Sequence, residues 1–259
     1  MSMIATTFPL SEYESRPLAT TRAVVRAWGF WATSAWFGAA VVTNLAVSIL
    51  CGLGYAAWSV LTHPSAAIDW DSPTSQYLAM ALSMTAGALL LMYAGRRAGP
   101  SAFDYLGLTL PSVRHVLAGL GLLAAFGLFS AGFFHLFPAY DPSSDIIREY
   151  QAIMGAPATL ALFWITLVVT APVCEEIIFR GFLMRGWSES RIGAIGAIML
   201  SSLVFTAIHL QYNLPTLATV FVLSLVLGVM RWRSGSTTLT IMLHMAWNLA
   251  VGMTVAWQA

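Results

Sequence analysis

Charged residues are scarce in this chain, and lysine is absent. Only 9% of the 259 residues are charged, compared with about 25% in average soluble domains. The net charge of +1 is small, and the sequence has no basic patch with interleaved aromatics, no zinc-finger spacing and no glycine-rich phosphate loop. We therefore expect no nucleic-acid partner. All twelve basic residues are arginine, a composition typical of a GC-rich bacterial genome.

Cysteine is also rare. Cys51 and Cys174 both lie in apolar stretches, which favours two small buried side chains over a disulfide framework or a paired-cysteine metal site. The N-terminal stretch before Pro17 is polar and contains Glu12 and Glu14, without a short basic region leading into an apolar core. We expect no cleaved signal peptide here.

Apolar side chains, in contrast, are abundant. The chain is 58% hydrophobic with a mean hydropathy of +0.76, and a membrane-spanning helix needs about 20 mostly apolar residues. This composition predicts an all-α, polytopic membrane helix bundle. About seven spans are predicted, at residues 28–61, 76–95, 114–137, 158–185, 192–210, 214–231 and 236–257.

The arginines predict the orientation, because short cytoplasmic loops are enriched in basic residues. They cluster before span one, between spans two and three, and after spans four and six, whereas the other loops are mainly acidic. We therefore expect an integral protein of the bacterial inner membrane with a cytoplasmic N-terminus and an external C-terminus. These arginines are Arg16, Arg22, Arg26, Arg96, Arg97, Arg114, Arg185, Arg191, Arg231 and Arg233.

The segment 138–157 has two interpretations. Ile146, Ile147, Tyr150 and Ile153 recur at near-helical spacing, which indicates a short interfacial helix. The alternative is an irregular loop, since proline and serine punctuate its beginning.

Ionisable residues inside span four are the strongest functional signal. Side chains of this kind at bilayer depth cost about 2.5 to 3.5 kcal/mol each on insertion scales, so they normally face a partner or a wet cavity. Glu176 and Arg180 are four residues apart and predict an ion pair on one helical face, whereas Glu175 has no local cation. Pro172 removes a backbone hydrogen bond just before the two carboxylates and can open the helix there.

Two further polar pairs lie in later spans. Phe205 and His209 share a face of span five, so the ring can pack beside the imidazole and orient it. His244 and Asn248 share a face of span seven and can jointly serve an oxyanion, a water or a metal. Each pair alone is equally explained by polar contacts between helices. Counting helical rise puts the polar groups at different depths, but helix tilt and a break at Pro172 would bring them to one level.

These three motifs, in this order, resemble the CAAX prenyl protease and bacteriocin-processing (CPBP or Abi) family of intramembrane proteases. The resemblance covers residues 158–257, which we therefore expect to form the catalytic core. Residues 28–157 would form the N-terminal transmembrane helices and loops, and residues 1–27 a cytoplasmic segment. The motifs are Glu-Glu-x-x-x-Arg at 175–180, Phe-x-x-x-His at 205–209 and His-x-x-x-Asn at 244–248.

The resemblance implies a role for each motif residue. Glu175 would activate a water for attack on a peptide carbonyl with help from His209, while His244 and Asn248 would stabilise the oxyanion. Glu176, Arg180 and Phe205 would be supporting residues.

The family has been described both as metalloproteases and as glutamate-dependent proteases. The residues here favour an enzyme that needs no tightly bound metal. In the metal-dependent version, a divalent ion such as zinc would bind Glu175, His209 and His244.

The implied function is intramembrane endopeptidase activity on a peptide or a membrane-associated protein segment, lipidated or not. One alternative is a non-catalytic protein of the same fold that binds peptides or confers bacteriocin self-immunity. The other is a proton-coupled transporter, since membrane acids and histidines also form proton relays. The absence of an inverted repeat in the sequence argues against a transporter.

Overall fold

The computed structural model describes residues 27–99 and 101–259, and this part of the chain is helical without any strand. This confirms the predicted all-α fold. The helices are α1 (Phe30–Thr62), α2 (Pro73–Ala98), α3 (Ala102–Leu106), α4 (Val113–Leu136), α5 (Ser143–Ile153), α6 (Pro157–Ser188), α7 (Gly193–Ala207), α8 (Leu214–Ser234) and α9 (Thr237–Gln258).

Six of these helices, α1, α2, α4, α6, α8 and α9, are long and apolar enough to cross a membrane. The protein is therefore an integral, multi-pass membrane protein. The segment predicted as the span 192–210 contains α7, an apolar helix of only 15 residues. At 1.5 Å per residue it is about 22 Å long, shorter than the roughly 30 Å hydrocarbon core. The predicted orientation is not tested by this architecture, and Arg16, Arg22, Arg26 and most of the segment 1–27 lie outside the described residues.

The segment between α4 and α6 is helical over Ser143–Ile153, after a short 3-10 turn at Pro138–Tyr140. Of its two interpretations, the helix is therefore the correct one. Tyr150 and Ile153 are buried in a cluster with Phe163 of α6 and Val255 of α9. This cluster packs α5 across the ends of two long helices.

Helix α6 is the central element of the bundle, because it contacts α1, α2, α3, α5, α7, α8 and α9. Cys174, Ile177 and Phe182 pack into a core with α1, α2 and α3. Phe179 and Leu183 point into a second core that includes Phe205 of α7. Protein therefore surrounds the middle of α6, which explains how charged residues can lie there.

Hydrogen bonds to the turn after α3 fix the start of α9. Gly107 has a φ of 66°, a left-handed conformation that favours glycine, and its carbonyl accepts a hydrogen bond from the backbone N–H of Thr237 at 2.8 Å. The Thr237 hydroxyl donates to the Leu106 carbonyl at 2.5 Å, and Ser236 caps the helix by accepting from the N–H of Leu239. These contacts fix the position of the helix that carries His244.

Candidate active site

Two π-helical stretches, Thr166–Thr170 and Ile177–Leu183, bracket the two glutamates of α6. In a π-helix an N–H bonds the carbonyl five residues back, as Ala171 does with Thr166 and Met184 with Phe179. Such interruptions shift the register of a helix and occur frequently at functional sites.

Pro172 and Asn248 together explain the first of these stretches. In the π register the carbonyl of Leu167 would pair with residue 172, but proline has no N–H to donate. Instead, Nδ2 of Asn248 in α9 donates to the Leu167 carbonyl at 2.9 Å. Pro172 therefore opens the hydrogen-bond ladder as predicted, and a side chain from another helix restores the missing bond.

Glu176 is held in a buried ionic network. Arg180 Nη1 donates to Glu176 Oε1 at 2.9 Å, and both side chains are almost fully buried, as the spacing predicted. The other guanidinium nitrogen, Nη2, donates to the hydroxyl and the carbonyl of Ser224 in α8, at 2.8 and 3.1 Å. The guanidinium carbon also lies 4.6 Å from the centre of the Phe205 ring, a favourable cation–π arrangement.

His244 links the two glutamates. Its Nδ1 donates to Glu176 Oε1 at 2.9 Å, which leaves Nε2 facing the neighbouring carboxylate, 3.8 Å from Glu175 Oε2. Glu176 therefore fixes the orientation of the imidazole and directs its other nitrogen toward Glu175. Unlike Glu176, Glu175 makes no direct hydrogen bond within the described chain and stays available to a water or a substrate.

His209 lies between two rings. Phe205 packs 4.8 Å from the imidazole centre, as predicted, and Tyr212 stacks on it at 6.3 Å with an interplanar angle of 14°. Its Nδ1 donates to the Phe205 carbonyl at 2.8 Å. The free Nε2 is therefore the nitrogen that can act on a ligand.

A cavity of about 540 Å³ brings the predicted catalytic residues together. Glu175, His209, His244 and Asn248 all line it, and the remaining lining is mainly apolar. Glu176 and Arg180 lie behind this wall and hold it in place. Mixed lining of this kind, apolar with a few converging polar groups, is typical of ligand-binding sites.

Sequence analysis missed three supporting residues. Tyr212 stands three residues after His209, a spacing that could have indicated the contact. Ser224 is a polar residue within an apolar span, and Arg231, considered only as an indicator of orientation, donates from Nε to the carbonyl of Arg180 at 3.2 Å. The partners of Ser224 and Arg231 are far away in the sequence, so their roles could not be predicted.

Glu175, His209 and His244 are the possible ligands of a divalent metal ion. Within residues 27–99 and 101–259, no group of three or more His, Cys, Asp or Glu side chains is arranged to hold a metal ion. Glu175, His209 and His244 line one cavity but do not converge on a single point in this arrangement.

Residues 157–250 match the family described as type II CAAX prenyl endopeptidase Rce1-like. This segment, here called the Rce1-like domain after the family to which it is similar, makes up 94 of the 259 residues. The match confirms the resemblance drawn from the three motifs, all of which fall within residues 157–250, and Glu175, His209, His244 and Asn248 of the cavity belong to these motifs.

A curated relative adds a more distant comparison. The chain is 34% identical over 128 residues to a protein of Escherichia coli described as an uncharacterized 24.3 kDa protein, and the alignment covers 48% of this chain and 58% of that protein. The chain thus spans little more than half the length of this relative. No solved structure matches the chain.

Proposed function

We propose that the protein is an intramembrane endopeptidase in which Glu175 activates a water to hydrolyse a peptide bond. The observation that carries this proposal is the position of the Glu175 carboxylate. It is buried in the cavity wall 3.8 Å from His244 Nε2 and makes no ion pair with any arginine that the structure describes. A general base must be within reach of the proton that it removes. In this proposal, substrate and water meet in the cavity that Glu175 lines.

The reaction follows from these positions. Glu175 accepts a proton from the water while the water oxygen attacks the carbonyl carbon of the substrate. His209 Nε2 orients this water. The tetrahedral intermediate then collapses as the C–N bond breaks, and the proton passes from Glu175 to the leaving nitrogen. The products are a carboxylic acid and an amine, so one water is consumed and no electrons are transferred.

His244 and Asn248 stabilise the oxyanion in this scheme. His244 already donates from Nδ1 to Glu176, so its protonated form presents an Nε2–H to the developing negative charge. Asn248 donates one amide hydrogen to the Leu167 carbonyl and keeps the second for the oxyanion. Donors that are fixed before the reaction stabilise charge without the cost of reorganisation.

The substrate class is a peptide or a segment of a membrane-associated protein, lipidated or not. Such a segment could reach the cavity from the bilayer that surrounds the bundle. We place the protein in the bacterial inner membrane with its N-terminus in the cytoplasm, on the basis of the arginine distribution.

Replacing Glu175 tests the proposal. The purified full chain in detergent micelles is assayed with a quenched-fluorescent peptide library, and Glu175→Gln should lower kcat by about 10²- to 10⁴-fold, the usual contribution of a general base. The matched control is Glu189→Gln, which alters a half-exposed glutamate paired with Arg185 outside the cavity and should leave kcat unchanged.

Four outcomes would contradict parts of the proposal. Equal cleavage by Glu175→Gln and wild type would refute catalysis at this site. Peptide binding without cleavage by the wild type would favour the peptide-binding alternative, and ion flux in proteoliposomes without cleavage would favour a transporter. Loss of activity with a chelator, restored by zinc, would contradict the metal-free mechanism.

A further inference from the structure

A second cavity of about 410 Å³ lies between α1 and α2. Asn44, Met80 and Met84 line both this cavity and the one that contains Glu175. The two cavities therefore adjoin, and together they form a groove, here called the α1–α2 groove. It runs from the candidate active site toward Trp70, in the loop between the two helices.

The face of α1 that lines the second cavity is unusually polar. Asn44, Ser48, Cys51 and Tyr55 recur every three or four residues and share this face. Other faces of the same helix expose large apolar side chains such as Ile49. Polar side chains in membrane helices normally face protein or a water-filled cavity, so the α1–α2 groove is suited to a polar occupant.

Asn44 is the residue that indicates what this occupant is. Its side chain makes no hydrogen bond to any other described residue, whereas Ser75 and Ser83 across the groove bond to carbonyls of their own helix or cap. An asparagine amide offers both donors and an acceptor. A peptide unit presents the complementary pair, one N–H and one carbonyl.

The length of the groove suits an extended chain. The stretch of α1 from Asn44 to Tyr55 rises about 16 Å at 1.5 Å per residue, and an extended peptide covers that distance with about five residues at 3.3 Å each. A helix of the same length would hide its backbone groups from Asn44, because its own hydrogen bonds satisfy them.

We propose that the α1–α2 groove binds about five residues of substrate in an extended conformation, and that the Asn44 amide hydrogen-bonds the substrate backbone next to the scissile bond. This inference rests on the proposed endopeptidase function. It makes Asn44 a positioning residue that lies outside the three motifs and outside the Rce1-like domain.

The first test is kinetic and uses the peptides that the wild type cleaves. Asn44→Leu keeps the side-chain volume but removes the amide, and we expect KM to rise about three- to tenfold with kcat little changed, as for lost ground-state binding. Asn44→Gln should recover part of this loss. Thr43→Val is the matched control, because the neighbouring hydroxyl bonds only to its own helix at Ala39, and it should leave KM unchanged.

The second test uses Cys51 as a natural reporter, since it lines the groove and is partly exposed. In the Glu175→Gln protein, the same peptides should slow the reaction of Cys51 with a small methanethiosulfonate reagent, and Asn44→Leu should weaken this protection. As a control, Arg233→Cys combined with Cys51→Ala moves the thiol to an exposed position at the end of α8, outside the groove, where peptides should not protect it.

The two proposals fail in different ways. If Glu175→Gln abolishes cleavage but Asn44→Leu leaves both KM and Cys51 protection unchanged, the groove inference is wrong and the proposed function stands. If the wild type cleaves no peptide but peptides still protect Cys51 in an Asn44-dependent way, the groove binds peptide and the endopeptidase proposal fails. If peptides protect Cys51 in none of the variants, the proposal that the α1–α2 groove binds peptide is wrong.

Discussion

Adjacent glutamates in α6 have different surroundings, and this difference separates their roles. Glu176 accepts hydrogen bonds from Arg180 and His244, so its charge is compensated by fixed donors. Glu175, one residue earlier, has only the more distant His244 Nε2 beside it. Because neighbouring helical residues point about 100 degrees apart, one carboxylate supports the site while the other faces the cavity.

The buried ion pair between Glu176 and Arg180 predicts that removal of one partner strongly lowers the free energy of unfolding. Arg180→Met keeps an unbranched stem but removes the charged end of the guanidinium and leaves Glu176 without its cation, and breaking a buried ion pair from one side costs about 3 to 5 kcal/mol. We expect the free energy of unfolding, measured by denaturant titration in mixed micelles and followed by tryptophan fluorescence, to fall by that amount.

Ser224→Ala is the control for this change. It removes the hydroxyl that accepts from Arg180 but keeps the Ser224 carbonyl as an acceptor, so the loss should not exceed about 1.5 to 3 kcal/mol, the range for a hydrogen bond to a charged group. If Arg180→Met is no less stable than Ser224→Ala, Glu176 does not depend on the guanidinium.

The sequence could predict only those contacts of the site that occur within one helix. The spacing of Glu176 with Arg180 and of Phe205 with His209 indicated their contacts, because residues four apart share a face. The bond from His244 to Glu176 joins two helices 68 residues apart in sequence. Periodicity carries no information about how separate helices are rotated against each other, so this contact required the structure.

At the scale of the helices, the π-helical stretches of α6 could not be predicted in detail either. Pro172 indicated that the helical hydrogen-bond ladder opens but not how, since a kink, a break and a change to π register can each accommodate the missing N–H. The form adopted here depends on Asn248, whose amide reaches the Leu167 carbonyl from α9. The element therefore takes its local geometry from a tertiary contact.

This dependence predicts a coupling between positions 172 and 248. Asn248→Leu removes the only side-chain donor to the Leu167 carbonyl among the described residues, and an unsatisfied buried polar group costs about 1 to 3 kcal/mol. Pro172→Ala supplies an N–H that the carbonyl can use instead. A double-mutant cycle of unfolding free energies should therefore show a smaller cost for Asn248→Leu in the Pro172→Ala background.

Additive effects in this cycle would mean that the bond from Asn248 does not compensate for Pro172. Asn248→Ala gives a second measure of the coupling free energy between positions 172 and 248, because it removes the amide without introducing the bulk of leucine. Both substitutions should show the same sign of coupling.

At the scale of the whole molecule, the short length of helix α7 predicts a route for water. The seven predicted spans were read from apolar stretches, and hydropathy does not distinguish a full crossing from a helix that ends inside the bilayer. Because α7 is about 8 Å shorter than the hydrocarbon core, we expect the turn that follows it to lie at membrane depth if the helix begins at the membrane surface. Irregular backbone is tolerated there when protein buries it or when it lines a water-filled cavity, and Gln211 and Tyr212 of this turn line the active-site cavity.

This position predicts that residue 211 is in contact with water but recessed below the membrane surface. In a Cys51→Ala background in permeabilised membranes, Gln211→Cys should react readily with a small water-soluble methanethiosulfonate and much more slowly with a maleimide on a large polyethylene glycol. Arg233→Cys, at the exposed end of α8, should react with both reagents. Equal reaction of Gln211→Cys with the two reagents would place the turn in bulk solvent, and no reaction with either would place it in lipid. The first result would contradict the recessed position of the turn, and the second would remove the water route on which hydrolysis by Glu175 depends.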